Sequence, residues 1–104
     1  MTWNELKTRT ITVFTTRWCP DCTRLKDRLK EQGVAFEEVD IEQDAAAARA
    51  LREQTGRTAI PYVQVDGAAF VRGWHDDVPG RWDADRFLRE AARAVRAHGA
   101  DGAP

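Results

Sequence analysis

The chain lacks the features that would take it out of the ordinary soluble classes. No apolar stretch approaches the ~20 residues that a membrane-spanning helix needs. Residues 1–7 hold no apolar core of a secretory leader and no cleavage-type site. The expected location is therefore cytoplasmic, with no membrane partner. Charge of one sign is missing too. Sixteen Lys and Arg meet seventeen Asp and Glu for a net charge of −1, so no nucleic-acid partner is expected. Only two cysteines and two histidines are present. Both cysteines with the distant His75 and His98 would make a poor tetrahedral zinc set. No metal is expected, and the two histidines read as surface residues.

What is there fits one small α/β domain. The 104 residues are 42% hydrophobic and 32% charged, enough for an adequate core. Thr2 and Glu5 have capping-box spacing for a short extra helix carrying Trp3 and Leu6. Residues 10–15 are β-branched and aromatic, and read as a strand. A helix follows over 20–32, with Pro20 at its first position and Gly33 as a left-handed stop. A second strand is expected over 36–41 and an alanine-rich helix over 44–55, ended by Gly56. Strands at 62–65 and 69–72 flank Asp66-Gly67, a hairpin signal. A polar, aromatic loop over 73–82 leads to a last helix over 84–98, capped by Asp83, with Phe87, Leu88, Ala91, Ala92 and Val95 on one face. The domain is expected to span 1–104, with its core over 10–98, an extension over 1–9 and a flexible tail over 99–104.

The most informative run is Arg17-Trp18-Cys19-Pro20-Asp21-Cys22, set between the first strand and the next helix. Two thiols in a C-x-x-C spacing can close a small ring and reopen it, carrying two electrons. Such a short loop would be a weak staple, so a redox use is favoured. A cysteine at a helix start faces unpaired N–H groups and the positive end of the dipole, which stabilise a thiolate. Cys22, Leu25 and Leu29 follow a core-facing stripe, so Cys22 should be buried and Cys19 more exposed. That assigns Cys19 as nucleophile and Cys22 as the resolving thiol. Asp21 should oppose ionisation of Cys19 and make the couple more reducing, with Arg17 and Arg24 offsetting it. The basic residues between Arg17 and Lys30 could steer acidic partners or simply form a solvated helix face.

The β-α-β-α-β-β-α order, with C-x-x-C between first strand and first helix, resembles the thioredoxin-like fold in its compact glutaredoxin-type form. This implies a central four-stranded mixed sheet flanked by helices. It also implies a dithiol–disulfide oxidoreductase acting on protein disulfides or protein–small-thiol mixed disulfides in cell redox homeostasis. Members of the fold carry a cis-proline beside the motif, and Ile60-Pro61 matches that pattern. The resemblance gives Ile60 and Pro61 a role in holding the substrate thiol. Ala59 stands where glutaredoxins carry threonine. Gly73-Trp74-His75-Asp76-Asp77 occupies the region of a glycine-glycine-x-aspartate turn without the double glycine. Trp74 and Asp76 are therefore candidates for the thiol pocket, Trp74 being equally suited to packing on the last helix.

The Thr15-Thr16-x-Trp18-Cys19 approach looks like the mycoredoxin branch, and glutathione, mycothiol and bacillithiol all remain open as co-substrate. No tightly bound cofactor is implied. Two other readings stay open: an electron donor reduced directly by a flavoprotein reductase, and an iron–sulfur scaffold sharing a cluster through Cys19. The chain is expected to be a monomer.

Overall fold

A computed structural model describes residues 1–57, 59–75, 77 and 81–101. Its elements are α1 (Trp3–Leu6), β1 (Ile11–Thr15), α2 (Pro20–Glu31), β2 (Glu37–Asp40), α3 (Ala45–Thr55), β3 (Tyr62–Val65), β4 (Val71–Arg72) and α4 (Ala84–Asp101). They form a four-stranded sheet in the order β2-β1-β3-β4. β1 runs parallel to β2, with Phe14 opposite Val39, and antiparallel to β3, with Phe14 opposite Tyr62. β4 closes the other edge, antiparallel to β3. The mixed sheet with flanking helices is the expected fold.

Strand alternation divides the core into two. Ile11, Val13, Val63, Val65 and Val71 point to one face, where they meet Leu25 and Leu29 of α2 and Phe87 and Ala91 of α4. Leu25, Leu29 and Phe87 are fully buried, and each such side chain contributes roughly 1.5–3 kcal/mol of hydrophobic transfer. Phe14 and Tyr62 point the other way and pack with Leu51 of α3. Phe70 meets Phe14 edge-on at 4.9 Å.

Local chemistry sets most element ends. Thr2 accepts from the Glu5 N–H and starts α1, and Asp44 accepts from the Ala47 N–H and starts α3. Gly33 and Gly56 take positive φ where α2 and α3 stop. The Asp66-Gly67 turn has φ values of 54° and 72°. Asp66 also accepts from Arg9 at 2.8 Å and from the Thr10 N–H at 2.9 Å. The Arg9 hydrogen bond, first of all, holds its carboxyl below the usual range.

Two expected spans differ by more than one residue at an end. β4 is shorter than 69–72 because residues 66–70 leave the ladder: the Ala68 N–H bonds Val65 O, and the Gln64 side chain holds Ala68 O. α4 runs past residue 98 to Asp101, so residues 99–101 continue the helix. The extension over 1–9 joins the core. Leu6 is fully buried, and the Trp3 ring lies 5.3 Å from Trp82 and 6.2 Å from Phe87. None of the described helices is long and apolar enough to cross a membrane.

Candidate active site

β1 delivers the chain to the site and α2 receives it. Thr15 and Thr16 are buried at the strand end. Cys19, extended at φ −87° and ψ 111°, is the N-cap of α2, and Pro20 occupies the first turn. The Cys19 Sγ accepts the Cys22 N–H at 3.1 Å, and the Cys19 carbonyl accepts the Thr23 N–H at 3.3 Å. Both thiols are free. The core-facing stripe is as expected: Cys22, Leu25 and Leu29 are each 0% exposed.

Cys19 departs from expectation. It is 6% exposed, more open than Cys22 but still buried. Burial pushes its thiol up to about 12, with the neighbouring Cys22 thiol and the Asp21 charge adding to the rise. The Cys22 N–H works the other way, as a helix start should, but desolvation of the thiolate outweighs it. The expected lowering is thus corrected. Asp21 acts in the expected direction as a minor contributor, and Arg24 binds it at 2.7 Å.

The basic stretch after the motif is largely neutralised. Arg24 pairs with Asp21, Lys26 with Glu38 at 3.0 Å, and Arg28 with Glu31 at 2.7 Å. This is a solvated helix face. Arg17 and Trp18 lie on the outside, Trp18 with 68% exposure. The Trp18 indole N–H donates to Glu42 Oε1 at 2.8 Å. Together with Asp40 and Gln43 they line an open hollow of about 460 Å³.

The Ile60–Pro61 bond is cis. Pro61 is fully buried, and its carbonyl accepts from the Gly73 N–H at 3.0 Å and from Arg72 Nη1 at 2.7 Å. A Cβ on Gly73 would lie 2.5 Å from Leu25 Cδ2 and 3.3 Å from Pro61 Cγ. Gly73 thus sits between Pro61 and the face of α2 one turn beyond Cys22. Ile60 is half-buried beside the Phe14–Leu51–Tyr62 cluster. The close approach leaves no room for a side chain at position 73, while the neighbouring Arg72 turns to the Pro61 carbonyl.

Of the two roles open to Trp74, the structure shows packing. It is 5% exposed, joins the α4-facing core and stacks on Trp82 at 6.2 Å. Asp76 lies outside the described residues. His75 corrects the surface reading of the histidines: it is buried, with Nε2 at 2.6 Å from Glu90 Oε1. His98 is exposed. A polar hollow of about 360 Å³ beyond Arg72 is lined by Arg57, His75, Asp77, Arg86 and Glu90 among others. Sequence reading missed Glu42 and Arg72. Their partners lie 24 and 11 residues away, and no local pattern signals such pairs.

Chemically, the arrangement presents two adjacent thiols at a helix start, one slightly open and one sealed beneath. The Glutaredoxin family model matches residues 11–70. Rv3198A, a glutaredoxin-type protein of Mycobacterium tuberculosis, is 36% identical over 76 residues, covering 71% of this chain and 90% of that one. Glutaredoxin 3 of Escherichia coli is 34% identical over 66 residues, covering 64% and 78%. Among solved structures, the thioredoxin-like protein BC3987 superposes with a TM-score of 0.57 at 30% identity, covering 77% and 97%. The buckwheat glutaredoxin–glutathione complex reaches 0.59 at 18% identity, covering 89% and 86%, a likeness of fold alone.

Proposed function

The chain belongs to the glutaredoxin family of thiol–disulfide oxidoreductases, and on that premise we propose that Cys19 and Cys22 are its working dithiol and that it acts as a reductant. The observation that carries this reading is the bond from the Cys22 N–H to Cys19 Sγ at the start of α2. It sets one sulfur at the helix start, with its partner in the same turn.

Cys19 loses its proton and attacks one sulfur of a substrate disulfide. A Cys19–substrate disulfide forms, the original S–S bond breaks, and the departing thiolate takes a proton from solvent. Cys22, deprotonated in turn, attacks Cys19 Sγ and releases the second substrate thiol. The substrate gains two electrons and the enzyme is left with a Cys19–Cys22 disulfide. Two equivalents of a low-molecular-weight thiol of the glutathione type restore it, the first forming a mixed disulfide and the second displacing it. The half-buried Ile60 and buried Pro61 are the proposed edge against which that thiol lies. Arg17, Trp18, Pro20 and Asp21 shape the loop around Cys19.

Burial of Cys19 favours the reducing direction. Strongly oxidising couples owe their potential to a stabilised thiolate in the reduced form, and here the thiol is pushed up to about 12. A reductant of this kind fits the cytosol, where thiols are kept reduced. Turnover of a protein mixed disulfide should be supported by one of glutathione, mycothiol or bacillithiol, and the Cys22→Ser variant should accumulate the Cys19 mixed disulfide. Turnover with a thioredoxin-type flavoprotein reductase alone would move the assignment to a directly reduced electron donor. No turnover with any donor would end the proposal.

A further inference from the structure

Resting on the oxidoreductase reading, we infer that the Trp18–Glu42 contact beside Cys19 is a docking ledge for an extended polypeptide carrying Lys or Arg next to its disulfide. Trp18 precedes the nucleophile directly, and it is the exposed large hydrophobic of the described residues, at 68%. An indole left in water beside a reactive sulfur offers a flat face to whatever presents the disulfide. The ring is also held at its edge: its N–H donates to Glu42 Oε1 at 2.8 Å across the gap to the segment after β2. Positioning of this kind lowers the ordering cost of binding.

The charges of the ledge favour a cation. The hollow of about 460 Å³ is lined by Asp40 and Glu42, with Arg17 as the opposing charge and Gln43 neutral. Asp40 Oδ1 accepts the Glu42 N–H at 2.9 Å, and Glu42 Oε1 is taken by the indole, so each carboxylate keeps a second oxygen for a ligand. The nearby Asp21 is already paired with Arg24. A Lys or Arg side chain lying over the Trp18 face gains a cation–π contact and meets two carboxylates at the rim. A carboxylate-bearing small thiol would be repelled here.

The test compares two synthetic disulfide peptides that differ only in Lys or Glu beside the cysteine, with bis(2-hydroxyethyl) disulfide as an uncharged reference. At low salt the wild type should reduce the Lys peptide with a kcat/KM roughly fivefold to tenfold above the Glu peptide, mainly through KM. The ratio should shrink in high salt. Glu42→Gln keeps an acceptor for the indole but loses the charge. Its peptide ratio should fall toward one while the Trp18 indole N–H resonance, identified by its loss in Trp18→Phe, stays in place. Glu42→Ala should lose both. An equal rate for the two peptides, a preference for the Glu peptide, or an undiminished ratio in Glu42→Gln overturns the ledge while reduction of the small disulfide continues. Failure to reduce any disulfide, the small one included, overturns the oxidoreductase reading and the ledge with it.

Discussion

The first turn of α2 and the segment leading from β4 into α4 are held by opposite means. Within the first turn of α2 itself the bonds are local. Cys22 N to Cys19 Sγ and Arg24 to Asp21 each span three residues. In the other segment the side-chain bonds of Trp82 and His75 are long. Trp82 Nε1 donates to Gly73 O nine residues away, and His75 reaches Glu90 fifteen residues away. Trp82 also lies against Trp3, from the opposite end of the chain. A locally built motif can change its chemistry with little effect on the rest. A segment built from distant contacts cannot be altered without loosening several elements together. The first region should therefore fail in activity and the second in stability.

Cys19→Ser is the strongest way to break that contrast. Removing the nucleophile should lower disulfide reduction at least about a thousandfold, with melting shifted by only a few degrees, because serine is close in size and keeps a cap oxygen. Retention of more than a tenth of the rate would place the attacking sulfur elsewhere. Phe87→Ala is the counterpart. Phe87 is fully buried against Trp3 and Trp82, so truncation should cost about 3–5 kcal/mol in urea unfolding, a large share of the ~5–15 kcal/mol typical of a domain. The folded fraction should keep its per-molecule activity. A loss below ~1 kcal/mol would mean that the aromatic cluster is not what fastens α4.

The same divide explains what could be read from the chain unaided. The strand–motif–helix order, the Pro20 start, the Gly33 and Gly56 stops and the Cys22–Leu25–Leu29 stripe depend on neighbours within one or two turns. The structure has them as expected. The Asp66-Gly67 turn was legible for the same reason. What could not be read depends on tertiary packing. His75 is carried inside by an acidic partner on α4. Trp74 stacks on Trp82, a partner outside its local sequence pattern. The Cys19 thiol was misjudged because the helix start is visible in sequence, whereas the burial that outweighs it is not.

Gly73→Ala sharpens the comparison because it touches both regions. Its new methyl would sit 2.5 Å from Leu25 Cδ2 and 3.3 Å from Pro61 Cγ. Leu25 is fully buried and has little room to swing away. Overpacking of this kind should cost about 1–3 kcal/mol. Displacement of Pro61 should also raise KM for the small thiol, so this variant loses both stability and activity. Unchanged denaturation and kinetics would show that Leu25 can re-rotate freely. The close approach of β4 to α2 would then place no demand for glycine.

The smallest effect should come from Asp21→Asn, and its sign is fixed by linkage. Burial first, and Asp21 only weakly, raises the Cys19 thiol from its ordinary 9.0 to about 12. Between those values the unfolded chain releases a proton that the native state keeps. Stability is then whole below about pH 9 and is lost as pH climbs toward 12. Cys19→Ser should remove that alkaline loss. Asp21→Asn should move the thiol titration down slightly, narrowing the window from its upper end and raising the rate of alkylation at neutral pH. The Arg24 partner at 2.7 Å already offsets part of the Asp21 charge, so Arg24→Gln should act in the opposite direction and slow alkylation. If Asp21→Asn slows alkylation or raises the titration, the Asp21 carboxylate is not opposing the thiolate, and its place in the first turn of α2 serves the helix alone.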